Sequence, residues 1–596
     1  MNASFLASKS LAWQQLQPQL DLPSAELHPL SFLDLQPRAT KAIKAFLQNP
    51  QRKLLVLKAD DQSEFAPLVE QFVQQQAGEL TLRGANYVIE QGDSFSFPRV
   101  TVEPAQSFAD NFCAKATAVA ALLPDAFQLF GSLRVHPSSQ DIQLTAGLVH
   151  QLNGGVLIVS AGAMLSRFDL WQRLKQIALS GQFDWYSAHP HKDLPCEIPS
   201  YPVDLKVIVL GNRSELAALQ DVEEHLYHLA DYAELESYIE TVTLSQKQNW
   251  AAYVQGLCAQ LQLAPLSLEE LNALYQLLVR ESENRTLINS SPLVLKPLLM
   301  EAALLAQDSS QPEDKRAGRF KKVFYKQRAQ YGFLREQAYQ DILHEQVYVD
   351  TDGEMVGQIN GLSVIEFPGT PLSFGEPSRI SCLVQFGDGE VVDVERKNEL
   401  AGNIHSKGMM IAQTCLANIL EFPSQLPFSA SLVFEQSYGE IDGDSASLAS
   451  FCVLTSALSD LPLPQSIAVT GAIDQFGLVH SVGGINDKIE GFFEICQRRQ
   501  LTGKQGVIIP STVLNQLSLS DEVVEAVKNQ QFFIMPVENV EQACQVLFQR
   551  DLFDQGDLEL DKENQPLSRV INRRLAQYAE NQTQRGGFWN IFARKN

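Results

Sequence analysis

The stretch SLVFEQSYGEIDGDSASLASFCVLTSAL, residues 431–458, reads strand, loop, helix. An apolar run gives way to GEIDGD, a loop with two glycines and three acids, and an apolar segment of helical length follows. Ser445 stands where that helix should begin, with small residues next to it. A serine there has helix N–H groups close by to stabilise an oxyanion. Small neighbours let a peptide carbonyl approach. The same pattern also makes an ordinary helix cap worth about 1 kcal/mol, so the segment needs a partner to mean more.

A nucleophilic serine needs a base. None of the ten histidines has an evidently catalytic setting. His405, in NIHSK, suits a structural role as well as a supporting one. Lysine can serve where its surroundings bring its pKa toward neutrality. The segment SIAVTGAIDQFGLVHSVGGINDKIEGFFEICQRR (466–499) predicts two strands around a turn, then Gly483-Gly484, then a helix. Ile489, Phe492, Phe493 and Cys496 form one apolar face of that helix, and Lys488 lies beside it in the first turn. A cation is unfavourable there, because the helix N-terminus is the positive end of the dipole. Dipole and burial together would favour a neutral amine. Asp487 and Glu490 would oppose this if they turned the same way, leaving a solvated, paired lysine.

Together the two segments resemble the proteolytic domain of Lon proteases, especially the B-type subfamily. The matching stretches are Gly-Asp-Ser-Ala-Ser at 443–447 and Gly-Gly-Ile-x-x-Lys at 483–488, with the lysine 43 residues after the serine (445 to 488). Further similar stretches are GQINGLSV (357–364), SFGEPSRI (373–380), DVERKNELAGNIHSKGMMI (393–411) and FEQSYGEIDGDSAS (434–447). The resemblance implies that Ser445 attacks the scissile carbonyl, and that Lys488 takes its proton and later protonates the leaving amine. It matches Thr470 to a threonine near the lysine that helps orient it. It matches Asp442 and Asp444 to acids ahead of the serine that hold the lysine or shape the loop. It further implies a ring, a hexamer, with active sites facing an inner chamber, acting on polypeptide substrates.

Upstream, the helical stretch DLQPRATKAIKAFLQ and the apolar runs KLLVLKA, GGVLIVSAGAM (154–164) and LKVIVLGN (205–212) predict a mainly parallel α/β sheet through about residue 240. Few strand signals occur from 241 to 306, where segments such as SLEELNALYQLLVRESE have helical spacing; QDSSQPEDKRAG (307–318) suits a hinge. The chain therefore divides into an α/β domain (1–240), a helical lid and linker (241–335), an α+β proteolytic domain (336–550) and a polar tail (551–596) with an aromatic cluster FWNIF at 588–592. The first two resemble the AAA+ module of Lon proteases without its nucleotide chemistry. A phosphate loop needs Gly-x4-Gly-Lys-[Ser/Thr]. After KLLVLKA this chain has Asp60, Asp61, Gln62, Ser63 and Glu64, whose acids repel phosphate. Ser160 and Ala161 stand where the magnesium and water-activating acids should be, while Gly211-Asn212-Arg213 resembles a sensor segment. The expectation is a degenerate AAA+ core, no bound cofactor and no ATP hydrolysis.

Composition bounds the alternatives. At 596 residues, with about 150 per domain as a guide, three or four domains are expected. The net charge of −24 argues against nonspecific nucleic-acid binding. No apolar run approaches the 18 or so residues that span a bilayer, no signal peptide opens the chain, and no membrane anchor is visible in the ATPase-like region. The eight cysteines form no Cys-x-x-Cys pair, which makes zinc and disulfide frameworks unlikely and fits a cytoplasmic protein. His225-x-x-His228 lacks further ligands and suits a surface helix. A non-proteolytic ring that holds unfolded chains is the competing reading, against which an intact serine–lysine pair argues. An α/β-hydrolase would need a second elbow glycine, and position 447 is serine.

Overall fold

The computed structural model describes residues 3–578 and 580, apart from 24–26, 94–95, 137–140, 187–193, 195, 308–317, 372, 423–424, 438 and 554–564. The hinge stretch 307–318 lies almost entirely, and FWNIF wholly, outside the described residues.

The first half is built on a five-stranded parallel sheet. Its order is Ala230–Glu234, Leu54–Lys58, Lys206–Gly211, Val156–Ser160, Ala118–Ala120. Covered on both faces, the inner strands are continuously apolar rather than alternating, which is why they stand out in the sequence. Side chains still divide by parity. Leu55 and Leu57 enter one core, and Leu54 and Val56 enter the core on the opposite face. The first of these cores continues into the helical region through Trp250, Tyr253, Leu274 and Leu278, so sheet and helices share a single hydrophobic interior.

The helical region comprises Leu244–Gln260, Leu268–Ser282, Pro292–Gln307 and Gly318–Tyr331. Thr243 and Ser267 start the first two as capping boxes with Gln246 and Glu270. A three-residue strand, Leu287–Asn289, unmarked in the sequence pattern, pairs antiparallel with Tyr238–Glu240 and ties this region to the end of the α/β unit.

The C-terminal half carries a seven-stranded mixed sheet ordered Val391–Asp393, Leu426–Phe434, Ser373–Gly389, Gln358–Glu366, Ile467–Val469, Gln505–Pro510, Phe532–Val537. Leu426–Phe434 alternates buried and part-buried residues along its length. Helices Ser447–Ser459 and Ile485–Arg498 pack against this sheet within separate apolar clusters.

Described segments from the first and last parts of the chain join this half. Leu6 sits in its main core, and Leu11 and Leu16 lie in the cluster around the helix Ile485–Arg498. The Leu11 N–H donates to the Ile534 carbonyl at 2.8 Å, and the Ile534 N–H to Ser10 Oγ at 3.0 Å. A boundary that groups the first sixteen residues with the α/β sheet does not follow this packing. Heptads of helix signal are absent over so short a segment, so only tertiary burial reveals where it belongs. From the polar tail, helical residues 567–578 also dock, with Leu567 and Ile571 in the main core and Arg574 Nη1 donating to the carbonyls of Ala457 and Leu458. All eight cysteines are free thiols.

Candidate active site

Strand Leu426–Phe434 delivers the chain into the acidic loop, and the loop is pinned at several points. The Ile441 N–H donates to the Leu400 carbonyl, and Gly402 N–H to the Ile441 carbonyl, both at 2.8 Å. Asp442 Oδ1 accepts the N–H groups of Ile404 and His405 at 3.2 Å each. It thereby caps the helix Asn403–Ile419, whose own Gly402 supplies no side chain for the purpose. Backbone N–H bonds, that of Gly443 first and then those of His405 and Ile404, hold the Asp442 carboxyl below its ordinary range. Asp442 is thus committed to loop shape.

Ser445 is half-buried, two residues before the helix Ser447–Ser459 begins. Its carbonyl accepts the Gly471 N–H at 2.8 Å and the Thr470 hydroxyl at 3.4 Å. Ser447 is fully committed, since its Oγ accepts the Ile473 N–H at 2.9 Å. The segment 467–473, which runs from the strand Ile467–Val469 into Ala472–Ile473, therefore fixes Ser445 from behind. Thr470, completely buried, acts on the serine's backbone rather than lining the cavity in front of it.

The second helix, Ile485–Arg498, starts from Gly484, whose φ of +67° is left-handed. Its backbone lies directly on the strand Ser373–Gly389. A Cβ on Gly491 would stand 2.1 Å from the Gly375 carbonyl oxygen. Asn486 locks the first turn, donating to the Gln516 carbonyl at 2.8 Å and accepting the Ser518 N–H at 2.7 Å. Lys488 is only 4% exposed. Burial brings its ammonium down to about 8, with Glu283 and Asp444 opposing that fall. Asp487 and Glu490 turn away from it. Arg280 spans both carboxylates, at 2.7 Å to Asp487 and 2.5 Å to Glu490, and Arg328 lies 3.3 and 3.5 Å from the same two.

Ser445 and Lys488 line one cavity of about 1490 Å³, together with Asp442, Asp444 and Gly483. Its far wall comes from the helical region, including Glu283 and Leu298. Such an arrangement offers a hydroxyl and an amine that can lose its proton near neutral pH. Sequence reasoning brought Ser445, Lys488, Asp442 and Asp444 to this place, but missed Glu283, Arg280 and Arg328. No local spacing links residue 283 to residue 484; only the docking of two regions does so.

The remaining motif residues are elsewhere. His405 is buried, with Nε2 3.4 Å from Asp393 Oδ2, while neighbouring Glu395 accepts the Phe434 N–H at 2.9 Å. This cluster lies behind the loop. The rings of His225 and His228 are 5.8 Å apart, and among the described residues no three His, Cys, Asp or Glu side chains gather to hold a metal.

In the α/β half, the turn between strand Leu54–Lys58 and helix Gln62–Ala77 is three residues long. The Asp61 carboxylate itself accepts the Ser63 and Glu64 N–H groups at 3.0 and 3.3 Å. The helix terminus that would bind an anion is thus filled by the chain's own anion. Lys58 pairs with Asp60 at 2.8 Å and Glu236 at 3.1 Å, and Glu64 with Lys296 at 2.7 Å. Ser160 caps the next helix through the Ala163 N–H at 3.3 Å. These residues do not fit a nucleotide triphosphate and its magnesium.

Comparison with known proteins agrees with this architecture. Residues 115–231 match the family model of the LonB-like AAA domain, and residues 439–550 that of the Lon protease (S16) C-terminal proteolytic domain. The chain is 62% identical to a Lon protease homolog of Haemophilus influenzae over 98% of its length and 96% of that protein's. It is 41% identical to a second from Escherichia coli, over 96% of each. An archaeal Lon protease of Methanocaldococcus jannaschii shares 29% identity over 35% of this chain and 30% of its own.

Proposed function

Because the chain belongs to the Lon protease family, we propose that it is a serine endopeptidase working through Ser445 and Lys488 without an ATPase motor. One observation carries the reading: a lysine buried enough to be brought to about 8 lines the same cavity as a half-exposed serine. The neutral Lys488 amine takes the Ser445 Oγ proton as Oγ attacks the scissile carbonyl. The start of helix Ser447–Ser459 sets its positive dipole end beside the developing oxyanion. The Lys488 ammonium then protonates the leaving amine, and water repeats the sequence on the acyl-enzyme. Thr470 and Gly471 keep the serine's backbone in register, Asp442 holds the loop, and Asp444 moderates the lysine's charge.

The filled helix terminus at Asp61 and the internally paired Lys58 support a motor-less enzyme. Substrates are then small or already unfolded polypeptides, or chains delivered by a partner. A homo-oligomeric ring, a hexamer, is the assembly we infer, in the cytoplasm. Among the described residues no helix is long and apolar enough to cross a membrane.

Hydrolysis of unfolded casein by the purified protein, with and without MgATP, tests this. Cleavage should be equal in the two, and both Ser445→Ala and Lys488→Gln should abolish it while size-exclusion behaviour is unchanged. Cleavage that survives either substitution removes the dyad. Strict dependence on ATP removes the motor-less reading. An inert wild-type protein that still binds unfolded casein supports the scaffold alternative.

A further inference from the structure

The helical region does more than cover the cavity. The helix Leu268–Ser282 ends in Glu283, which adopts a left-handed conformation and turns its carboxylate toward the proteolytic half. Glu283 Oε2 accepts the N–H of Gly484 at 3.0 Å. Gly484 precedes the helix that carries Lys488, and the Lys488 N–H in turn donates to the Gly484 carbonyl at 2.9 Å. Glu283 and Lys488 line the same cavity. Three residues earlier on the same helix, Arg280 is locked between Asp487 and Glu490. It is 10% exposed, and Ser518 adds its carbonyl as an acceptor at 3.3 Å. The two contacts bracket Lys488: one at the residue that opens its helix, the other at its immediate neighbours.

We propose that Glu283, supplied by the helical region, is a positioning residue of the proteolytic site that fixes the start of the lysine helix and tunes the basicity of Lys488. The inference rests on the Ser445–Lys488 reading above.

The charge around Lys488 makes Glu283 the natural lever. On the lysine's own helix, Asp487 and Glu490 are matched by Arg280 and Arg328. Asp444 approaches from the serine loop and Asp442 is occupied by backbone N–H groups. From the strands beneath, Glu366 and Glu376 line the same cavity. Of these groups, Glu283 is the largest influence favouring the charged lysine, followed by Asp444. A carboxylate at a helix N-terminus is also favoured by the dipole that disfavours the lysine there. Removing its charge should therefore release the amine at lower pH. Removing its oxygen should loosen the helix start.

Glu283→Gln separates the two effects, because the amide oxygen can still accept the Gly484 N–H. In the full-length enzyme, the acid limb of kcat/KM against pH should move down by about one unit, a roughly ten-fold gain well below the midpoint. The alkaline plateau should fall by no more than about three-fold, because a less basic amine is a slightly weaker general base. Glu283→Ala should show the same displaced limb with a lower plateau. A folded Glu283→Gln enzyme whose limb stays at the wild-type midpoint overturns the inference, as does Glu283→Ala with an unmoved limb. Lys488→Gln, run alongside, tells the two levels apart. If it retains activity, the dyad itself fails. If it is dead while the Glu283 limbs stand still, only the role of Glu283 fails.

Discussion

Lys488 illustrates how a single side chain can be costly to the fold and, in the proposed mechanism, necessary to the chemistry. Its ordinary value near 10.5 falls to about 8 in the folded protein. Below about pH 8 both folded and unfolded chains hold the proton, and the folded state bears the full burden of a buried ammonium. As pH rises from about 8 toward 10.5 the folded lysine is neutral while the unfolded one is still charged, so that burden lifts and stability rises. Lys488→Met should therefore stabilise the protein at pH 7 by about 3 kcal/mol, and by progressively less toward pH 10, while abolishing peptidase activity. Thermal denaturation at the two pH values checks this; an equal change at both would mean the wild-type lysine is not buried in the charged form. The candidate serine and lysine stand out in the sequence because their motifs are local. The depth of Lys488 does not, since it depends on the strand Gln358–Glu366, the serine loop and Glu283, each distant in the chain. Asp487 and Glu490 were legible as charges, yet their direction was set by Arg280, more than two hundred residues upstream.

At the scale of elements, two backbones in contact place the lysine. The helix Ile485–Arg498 rides on the strand Ser373–Gly389 at Gly375 and Gly491, with no side chain on either to hold them apart. Gly491→Ala would put a methyl group 2.1 Å from a carbonyl oxygen. Because that neighbour is backbone, the helix must shift rather than a side chain swing aside. The expected cost is about 2–3 kcal/mol, as for other overpacked cores, with kcat falling through misplacement of Lys488 and the helix content unchanged. Circular dichroism beside peptidase assays separates these. A variant with wild-type stability and rate would show that the contact is slack. The apolar runs at 53–59, 154–164 and 205–212 revealed the parallel sheet because such strands are buried on both faces. The pair Tyr238–Glu240 and Leu287–Asn289 escaped detection because three residues cannot display a period.

For the molecule as a whole, the polar groups at the first strand–helix turn of the α/β half are taken up by internal pairs: Asp61 on the helix terminus, Asp60 and Glu236 on Lys58, Lys296 on Glu64. The proteolytic half depends on residues from the far end of the chain. Leu6 and Leu16 are completely buried in it. Leu16→Ala should cost about 2–5 kcal/mol, felt first as protease-half unfolding; limited proteolysis with mass mapping would show whether that half, rather than the α/β unit, opens earlier. Earlier opening of the α/β unit would contradict the packing. The same crossover bears on biosynthesis. Ser10 bonds to Ile534, a residue 524 positions later, so the opening segment must wait on the ribosome for about 25–100 s before its docking surface exists. A polypeptide stopped before residue 534 therefore leaves its opening segment without the strand that it docks on.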